Sequence, residues 1–425
     1  MYLLYSFLLA VAFAASAPFY LWKGRGSGKY LRTLRDRMGR PHGGITADQR
    51  PSIWIHAVSV GEVLAARVLV APLKARLPDH RVFVSTTTVT GNAVARDAIR
   101  NADGIFFAPF DFRRAVSRVL DRLNPALLVL VETEIWPNLI HLARQRGARI
   151  AIVNGRISPR SFPRYRLARP LLRHVLAEVD LFLMQAEPHR ARLLAMGAPA
   201  ERTHVTGNLK YDALDAREPP AALRRALGQD GPVPPPLWVA GSTVEGEEEA
   251  VLQAFGTLRR AEPAARLVIA PRHPERFATV AALVSRAGFA CARRTTLGDA
   301  EWTGGDVLVL DTFGELAQVY PLATVVFVGG SLADAGGHNV LEPAVAGRAI
   351  LVGPHMQNFR EIAETFLAED ALVQVRDADG LAEAVTRLFA YPAAREGLGG
   401  RAQAIVARNQ GALARTVEAL VGLLA

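Results

Sequence analysis

Residues Val325 to Pro354 read VVFVGGSLADAGGHNVLEPAVAGRAILVGP, and this order of apolar, glycine-rich and apolar segments decides the fold class. Val325–Val328 is an apolar run short enough for a buried strand. Gly329 and Gly330 follow at once, then Gly336, Gly337, His338 and Asn339. Glycine has no Cβ, so such a loop can take positive φ and let a ligand approach the backbone closely. Asn339 is placed to cap a helix starting there, with Glu342 three residues on as its capping-box partner. A second apolar run, Ala349–Val352, then completes a strand–loop–helix–strand unit. The free N–H groups and partial positive charge of the helix N-terminus suit a phosphate. The plainer reading is a tight turn with an ordinary cap. Two glycine pairs and a histidine exceed what such a turn requires.

Outward from this segment, short β-rich runs alternate with amphipathic stretches. Strands are expected at Ser52–Ala57, Arg81–Thr86, Gly104–Ala108, Leu127–Val131, Arg149–Val153, Leu181–Met184 and His204–Val205. Helices are expected between them at Gly61–Leu77, Asn92–Arg100, Ala115–Leu123 and Leu171–Glu178. After a proline-rich break the alternation restarts at Leu237–Ala240, Arg266–Ala270, Val307–Leu310, Val325–Val328, Ala349–Val352 and Leu372–Val375. This βα alternation implies parallel sheets flanked by helices. The expected organisation is α/β, with two Rossmann-like domains and a central cleft, at 51–216 and 237–392. A stiff linker at 217–236 carries PVPPP at 232–236, and terminal helix occupies 393–425.

The chain has 425 residues and a formal charge of +10, with a pI near 10.2, which favours an anionic partner. Its basic residues are spread out and its aromatics few, which speaks against nucleic acid. Cys291 is the single cysteine, so no internal disulfide forms. The ten histidines show no metal-binding spacing. Tyr2 to Trp22 carries no charge and is followed by KGRGSGKYLRTLRDR. That length suits a membrane anchor, residues 1–22, and the basic juxtamembrane segment at 23–50 puts the bulk of the chain on the cytoplasmic side. A cleaved signal peptide with Ala15-Ser16-Ala17 competes, but lacks a basic segment ahead of the apolar run. A helix lying in the membrane interface is the third option.

One spacing recurs at four expected strand ends: Ser59–Glu62, Ser242–Glu245, Thr312–Glu315 and Asn339–Glu342. Each fits a capping box, so each glutamate has a purely structural role available. All four also lie at carboxyl ends of strands, where open α/β sheets bind ligands. Glu62, beside flexible Gly61, is a candidate general base for a hydroxyl proton. Glu132 ends an apolar run, so desolvation is expected to raise its pKa; Glu134 lies two residues on. Lys210 in Asn208-Leu-Lys-Tyr-Asp212 is placed to neutralise a phosphate or carboxylate. Arg272, after Pro271, can fork onto the same groups, with His273 and Glu275 capping the next helix. Ser242, Gly337 and His338 join the ligand-binding candidates as members of strand-end loops. The bland counterparts are a partner for a buried base at Glu132 and a solvated surface lysine at Lys210.

Taken together, HAVSVGE, ETEIWPN, GNLKYD, GSTVEGEEE, APRHPERF, DTFGEL and GGSLADAGGHNVLEP run in order over nearly the whole chain. They resemble the bacterial 3-deoxy-D-manno-octulosonic acid (Kdo) transferases of lipopolysaccharide assembly. The resemblance implies a GT-B glycosyltransferase with CMP-Kdo as donor and a tetra-acylated lipid A precursor (lipid IVA) as acceptor. It also implies inversion of the anomeric centre, no metal and no cofactor, and residence at the cytoplasmic face of the inner membrane. By the same resemblance Glu62 matches the catalytic base, and Glu132 and Lys210 match transition-state stabilisers. Pro271, Arg272, Phe313, Gly314, Glu315, Asn339, Val340, Leu341 and Glu342 match the CMP-binding segments. The acceptor site is guessed at the basic stretch Lys23–Arg40. Three other readings stay open: a GT-B enzyme using a UDP-sugar and a lipid acceptor, a non-catalytic two-lobed binding protein, and an epimerase on the same two-domain fold.

Overall fold

The computed structural model describes residues 1–24, 29–40, 50–212, 218–297, 300–302 and 305–425, with the side chains of 17–32 left aside. It divides into two compact units, Met1–Ala213 with Asn409–Ala425, and Leu214–Arg408.

The first unit is built on a seven-stranded parallel sheet: β1 (Ser52–His56), β2 (Arg81–Thr86), β3 (Gly104–Phe107), β4 (Pro125–Val131), β5 (Arg149–Gly155), β6 (Leu181–Met184) and β7 (Thr203–Val205). Their order is β3-β2-β1-β4-β5-β6-β7, so the strand order reverses between β1 and β4. Every residue of β1 and β2 is buried, as expected for a sheet covered by helices on both faces. The two faces pack separate cores, one around Trp54, Phe106 and Phe182, the other around Ile55, Leu69 and Val129.

The second unit repeats the plan with β8 (Leu237–Thr243), β9 (Arg266–Pro271), β10 (Cys291–Arg293), β11 (Val307–Val309), β12 (Val325–Val328), β13 (Ala349–Val352) and β14 (Val373–Gln374). All are parallel, in the order β10-β11-β9-β8-β12-β13-β14, and the reversal lies between β8 and β12. Trp238, Phe255 and Phe327 lie at the centre of its core.

The structure differs from the sequence reading at several places. The edge strand Cys291–Arg293 was not foreseen, because three half-buried residues carry too little period to register. A helix, Ala221–Ala226, lies inside the expected linker at 217–236. The expected terminal helix is two, Pro392–Asn409 and Ala412–Gly422, parted at left-handed Gly411. The second of these belongs to the first unit, where the Asp212 carboxylate accepts the Gly411 and Leu413 N–H groups at 2.6 and 2.8 Å. A helix does run over Tyr2–Gly24, but among the described residues no helix is long and apolar enough to cross a membrane. Its polar and aromatic side chains engage the first unit. The Tyr2 hydroxyl donates to Glu178 at 2.6 Å, Ser6 meets Asn138, and Phe13 meets the ring edges of Phe110 and Phe112. Leu3, Leu4, Phe7, Leu8 and Val11 are left exposed. Of the basic segment expected at 23–50, Lys29–Arg37 forms a helix, and 25–28 and 41–49 lie outside the described residues.

Candidate active site

In the first unit the candidate residues gather where the strand order reverses, the position at which open parallel sheets bind ligands. β1 is followed by Ser59, the N-cap of the helix Val60–Arg76. Glu62 stands in the first turn and is only 7% exposed. One carboxylate oxygen accepts the Val58 N–H at 2.7 Å and the other the Ser59 hydroxyl at 2.8 Å. The capping geometry expected from the spacing is therefore present. It does not exhaust the carboxylate, since each oxygen keeps a lone pair. Burial lifts the Glu62 pKa to about 7, and the carboxylates of Glu134 and Glu132 add to the rise against the two hydrogen bonds. A group half-ionised near neutral pH has the driving force a general base needs.

β4 delivers the other two carboxylates. Glu132 follows the strand at φ 60°, a left-handed conformation that costs an L-residue energy, and its N–H donates to the Val153 carbonyl at 2.8 Å. Glu134 accepts the Trp136 indole N–H at 2.7 Å, and burial raises its pKa further than that bond lowers it. Desolvation thus raises the pKa of both Glu62 and Glu134. Among the described residues no group of three acidic, histidine or cysteine side chains is placed to hold a metal ion.

Lys210 is half-buried in the single turn Leu209–Tyr211, which packs against the helix carrying Glu62. Two asparagines hold that turn. Asn208 accepts the Lys210 N–H, and fully buried Asn154 accepts the Leu209 N–H at 3.0 Å. Asn154 was missed by the sequence reading. It sits at φ 54° where the β5–β6 register shifts, and nothing local in ValAsnGly announces that role.

In the second unit the strand-end loops again carry the candidates. Ser242 lies at φ 57° where the β8–β9 register shifts. β9 ends at Pro271, whose successor Arg272 is exposed and anchored by its own N–H to the Thr243 carbonyl at 2.8 Å. Phe313 is 76% exposed, its ring centroid 6.2 Å from that of Phe277. Gly314 beside it has φ 80°. Glu315 receives the Thr312 hydroxyl and pairs with Arg294 at 3.1 Å. Gly337 takes φ 73°, and a Cβ there would collide with Met356 and the His355 carbonyl. His338 is half-buried with its Nε2 unpartnered, and burial together with the nearby Arg272 and His273 charges lowers its pKa to about 4. It is a neutral imidazole at neutral pH.

Four sequence expectations are corrected here. The helix expected to start at Asn339 starts at Leu341, and Asn339 reaches it by accepting the Leu341 N–H at 3.1 Å while donating to Glu342 at 3.1 Å. Val340 and Leu341 are buried and support this turn from below. That helix, Leu341–Val345, and the one after Glu315, Leu316–Val319, are each little more than a turn, so their dipoles are small. Secondly, Ser242 and Glu245 form no capping box. The helix begins at Glu248, Glu245 is exposed, and it is Glu247 that reaches back to the Val244 N–H at 3.0 Å. Thirdly, the first amides of the glycine loop are taken up within the chain and not left for a ligand. Glu247, fully buried, accepts the N–H groups of Gly330, Ser331, Leu332 and Ala333. The run GluGlyGluGluGlu in the sequence marked an acidic helix start without saying which carboxylate turns inward. His273 likewise forms no side-chain cap on Pro274–Arg276.

Comparison with known proteins bears on this arrangement. Residues 32–213 match the family model described as 3-Deoxy-D-manno-octulosonic-acid transferase (kdotransferase). A 3-deoxy-D-manno-octulosonic acid transferase of Haemophilus influenzae is 34% identical over 398 residues, 93% of this chain and 92% of that protein. One from Bordetella pertussis is 36% identical over 416 residues, 94% of each. Among solved structures, a glycosyltransferase from Rickettsia africae superposes with a TM-score of 0.56 at 10% identity, over 89% of this chain and 99% of that one. A UDP-GlcNAc 2-epimerase from Neisseria meningitidis gives 0.55 at 14%, over 84% and 99%. Those two likenesses speak for the GT-B fold alone, since a transferase and an epimerase score alike. What separates the chemistries is identity above a third along both curated relatives, and on that ground the chain belongs to the Kdo transferase family, glycosyltransferases that transfer Kdo.

Proposed function

We propose that the protein transfers Kdo from CMP-Kdo to a hydroxyl of a lipid A precursor, inverting the anomeric centre without a metal, in lipopolysaccharide core assembly. The observation that carries this reading is the Glu62 carboxyl, buried, half-ionised near neutral pH and beside two further carboxylates at the switch point of the first sheet. In the proposed step the acceptor oxygen attacks the anomeric carbon of Kdo and its proton passes to Glu62. The bond from that carbon to the phosphate oxygen breaks, and CMP leaves with the electron pair. Arg272 offsets the charge growing on the phosphate, and Lys210 and Glu132 are the proposed transition-state stabilisers. Phe313 and the turn Asn339–Glu342 supply the nucleotide contacts. Neutral His338 donates or accepts a hydrogen bond without competing for a proton.

The proposed location is the cytoplasmic face of the inner membrane, with the helix Tyr2–Gly24 lying in the interface and not across it. The exposed face Leu3, Leu4, Phe7, Leu8 and Val11 supports this, as does the chain's net charge of +10, which favours an anionic surface. The test is a transfer assay with purified chain, generated CMP-Kdo, tetra-acylated lipid A precursor and EDTA, read by mass spectrometry of the lipid. A mass gain of one or more Kdo units is expected. No gain in a folded, CMP-binding preparation refutes the acceptor assignment, and a requirement for added metal refutes the metal-independent step.

A further inference from the structure

Two consecutive acidic residues, the N-cap and first residue of the helix that follows β8, are both fully buried: Glu247 and Glu248. Buried carboxylates are retained only when hydrogen-bonded, and these two are bonded to different loops. Glu247 accepts Val244 N–H at 3.0 Å, Gly330 at 2.7 Å, Ser331 at 2.9 Å, Leu332 at 2.8 Å and Ala333 at 3.2 Å. Successive amides converging on one anion form a nest, here filled by the protein's own carboxylate. Gly329 is tied to the arrangement, because a Cβ there would lie 2.8 Å from a Glu247 oxygen. The nest fixes the start of the loop, and the Gly330 carbonyl fixes its end by accepting the Gly337 N–H at 2.6 Å. His338 and Asn339 follow directly. Glu248 works on the other side. It pairs with Arg276 at 3.0 Å and accepts the Thr243 hydroxyl at 3.3 Å. Arg276 closes the segment Pro271–Arg276, whose second residue is Arg272.

We propose that Glu247 and Glu248 are positioning residues of the donor site, Glu247 presetting the Gly330–Asn339 loop and Glu248 presetting the Arg272 segment for a cytidine nucleotide. The proposal rests on the donor reading given above. The two carboxylates touch no substrate. They act by holding two loops in the bound shape before the nucleotide arrives, which lowers the ordering cost of binding.

The test uses the full-length chain and CMP as probe, with UMP as the competing nucleotide. Glu247→Gln places an amide N–H₂ against amide donors, and Glu248→Gln removes the charge from Arg276. Each is expected to weaken CMP binding and raise the donor KM about tenfold or more, with kcat changed less than about threefold. Glu249→Gln, exposed on the same helix, serves as control. A merely structural role lowers thermal stability and leaves the nucleotide Kd and the KM-to-kcat split alone, so variants that fold and bind CMP within twofold of wild type overturn the proposal. A second measurement needs no variant. In the nucleotide-free wild type, the amides of Gly330–Ala333 are expected to be protected from hydrogen exchange. If they exchange freely and gain protection only with CMP, the nucleotide orders the loop and the proposal falls. A wild-type chain that binds no CMP refutes the donor reading as well; one that binds CMP alongside equally competent variants refutes only this proposal.

Discussion

Replacing Glu62 by glutamine should make the protein inactive and more stable at once. The Glu62 pKa rises from 4.5 to about 7 chiefly through burial. A carboxyl whose folded pKa is raised contributes stability below its unfolded pKa and loses it as pH rises through the folded one. The loss therefore accumulates between pH 4.5 and about pH 7. At 1.36 kcal/mol per unit it reaches roughly 3 kcal/mol above pH 7. Glutamine carries no charge and escapes this penalty. Its single oxygen must replace two acceptors, for the Val58 N–H and the Ser59 hydroxyl, which returns about 1 kcal/mol. A net gain of about 2 kcal/mol at pH 8 raises the melting temperature of a domain this size by roughly 4–8 °C. At pH 4.5 the penalty is absent, and the variant should be less stable than wild type by about 1 kcal/mol. Differential scanning calorimetry of wild type and variant at both pH values checks this, with transfer measured alongside. In wild type, kcat/KM should rise about tenfold per unit below pH 7 and level off above it. A variant that melts earlier than wild type at pH 8 would show that the carboxylate serves as a cap, and a flat pH profile from 5.5 to 8 would remove it as the base.

Glu132→Gly should relieve the left-handed backbone at φ 60°, raising stability by about 1 kcal/mol in denaturant titration while transfer falls at least a hundredfold. Phe313→Ala, at a ring 76% exposed, should leave the melting temperature within a degree or two and weaken CMP binding about fivefold or more by calorimetry. Gly330→Ala forces a Cβ into φ 68° and to 2.7 Å from His338 Nε2, so stability should drop by about 1–3 kcal/mol together with nucleotide affinity. Asn154→Ala removes the acceptor for the Leu209 N–H and should lower kcat, with an added loss of about 1–3 kcal/mol in stability.

The N-terminal helix shows what composition alone leaves out. Its uncharged run of about twenty residues fits a bilayer by length, yet Tyr2, Ser6 and Phe13 give it a face that docks on the first unit. Only their partners, Glu178, Asn138, Phe110 and Phe112, reveal that face, and all lie about a hundred or more residues away in the chain. The same limit governs Ser242-Thr-Val-Glu245. The spacing satisfies a capping box, but the helix begins later, because the fully buried Glu247 finds four amides across the sheet on the loop after β12.

Local pattern therefore determined much about this protein by itself. Short apolar runs alternating with amphipathic stretches can bury their surface only as parallel strands covered by helices, and thirteen of the fourteen strands among the described residues are legible that way. Glycines at Gly337 and Gly314, needed for positive φ, marked the loops that carry the second unit's candidates. Tertiary structure alone decided which carboxylates are desolvated, which are exposed and which are spent on backbone amides. Ionisation and hydrogen-bond satisfaction depend on what lies within a few ångströms in space, and for Glu62, Asn154 and Glu247 those neighbours arrive from distant strand ends that only the folded sheet brings together.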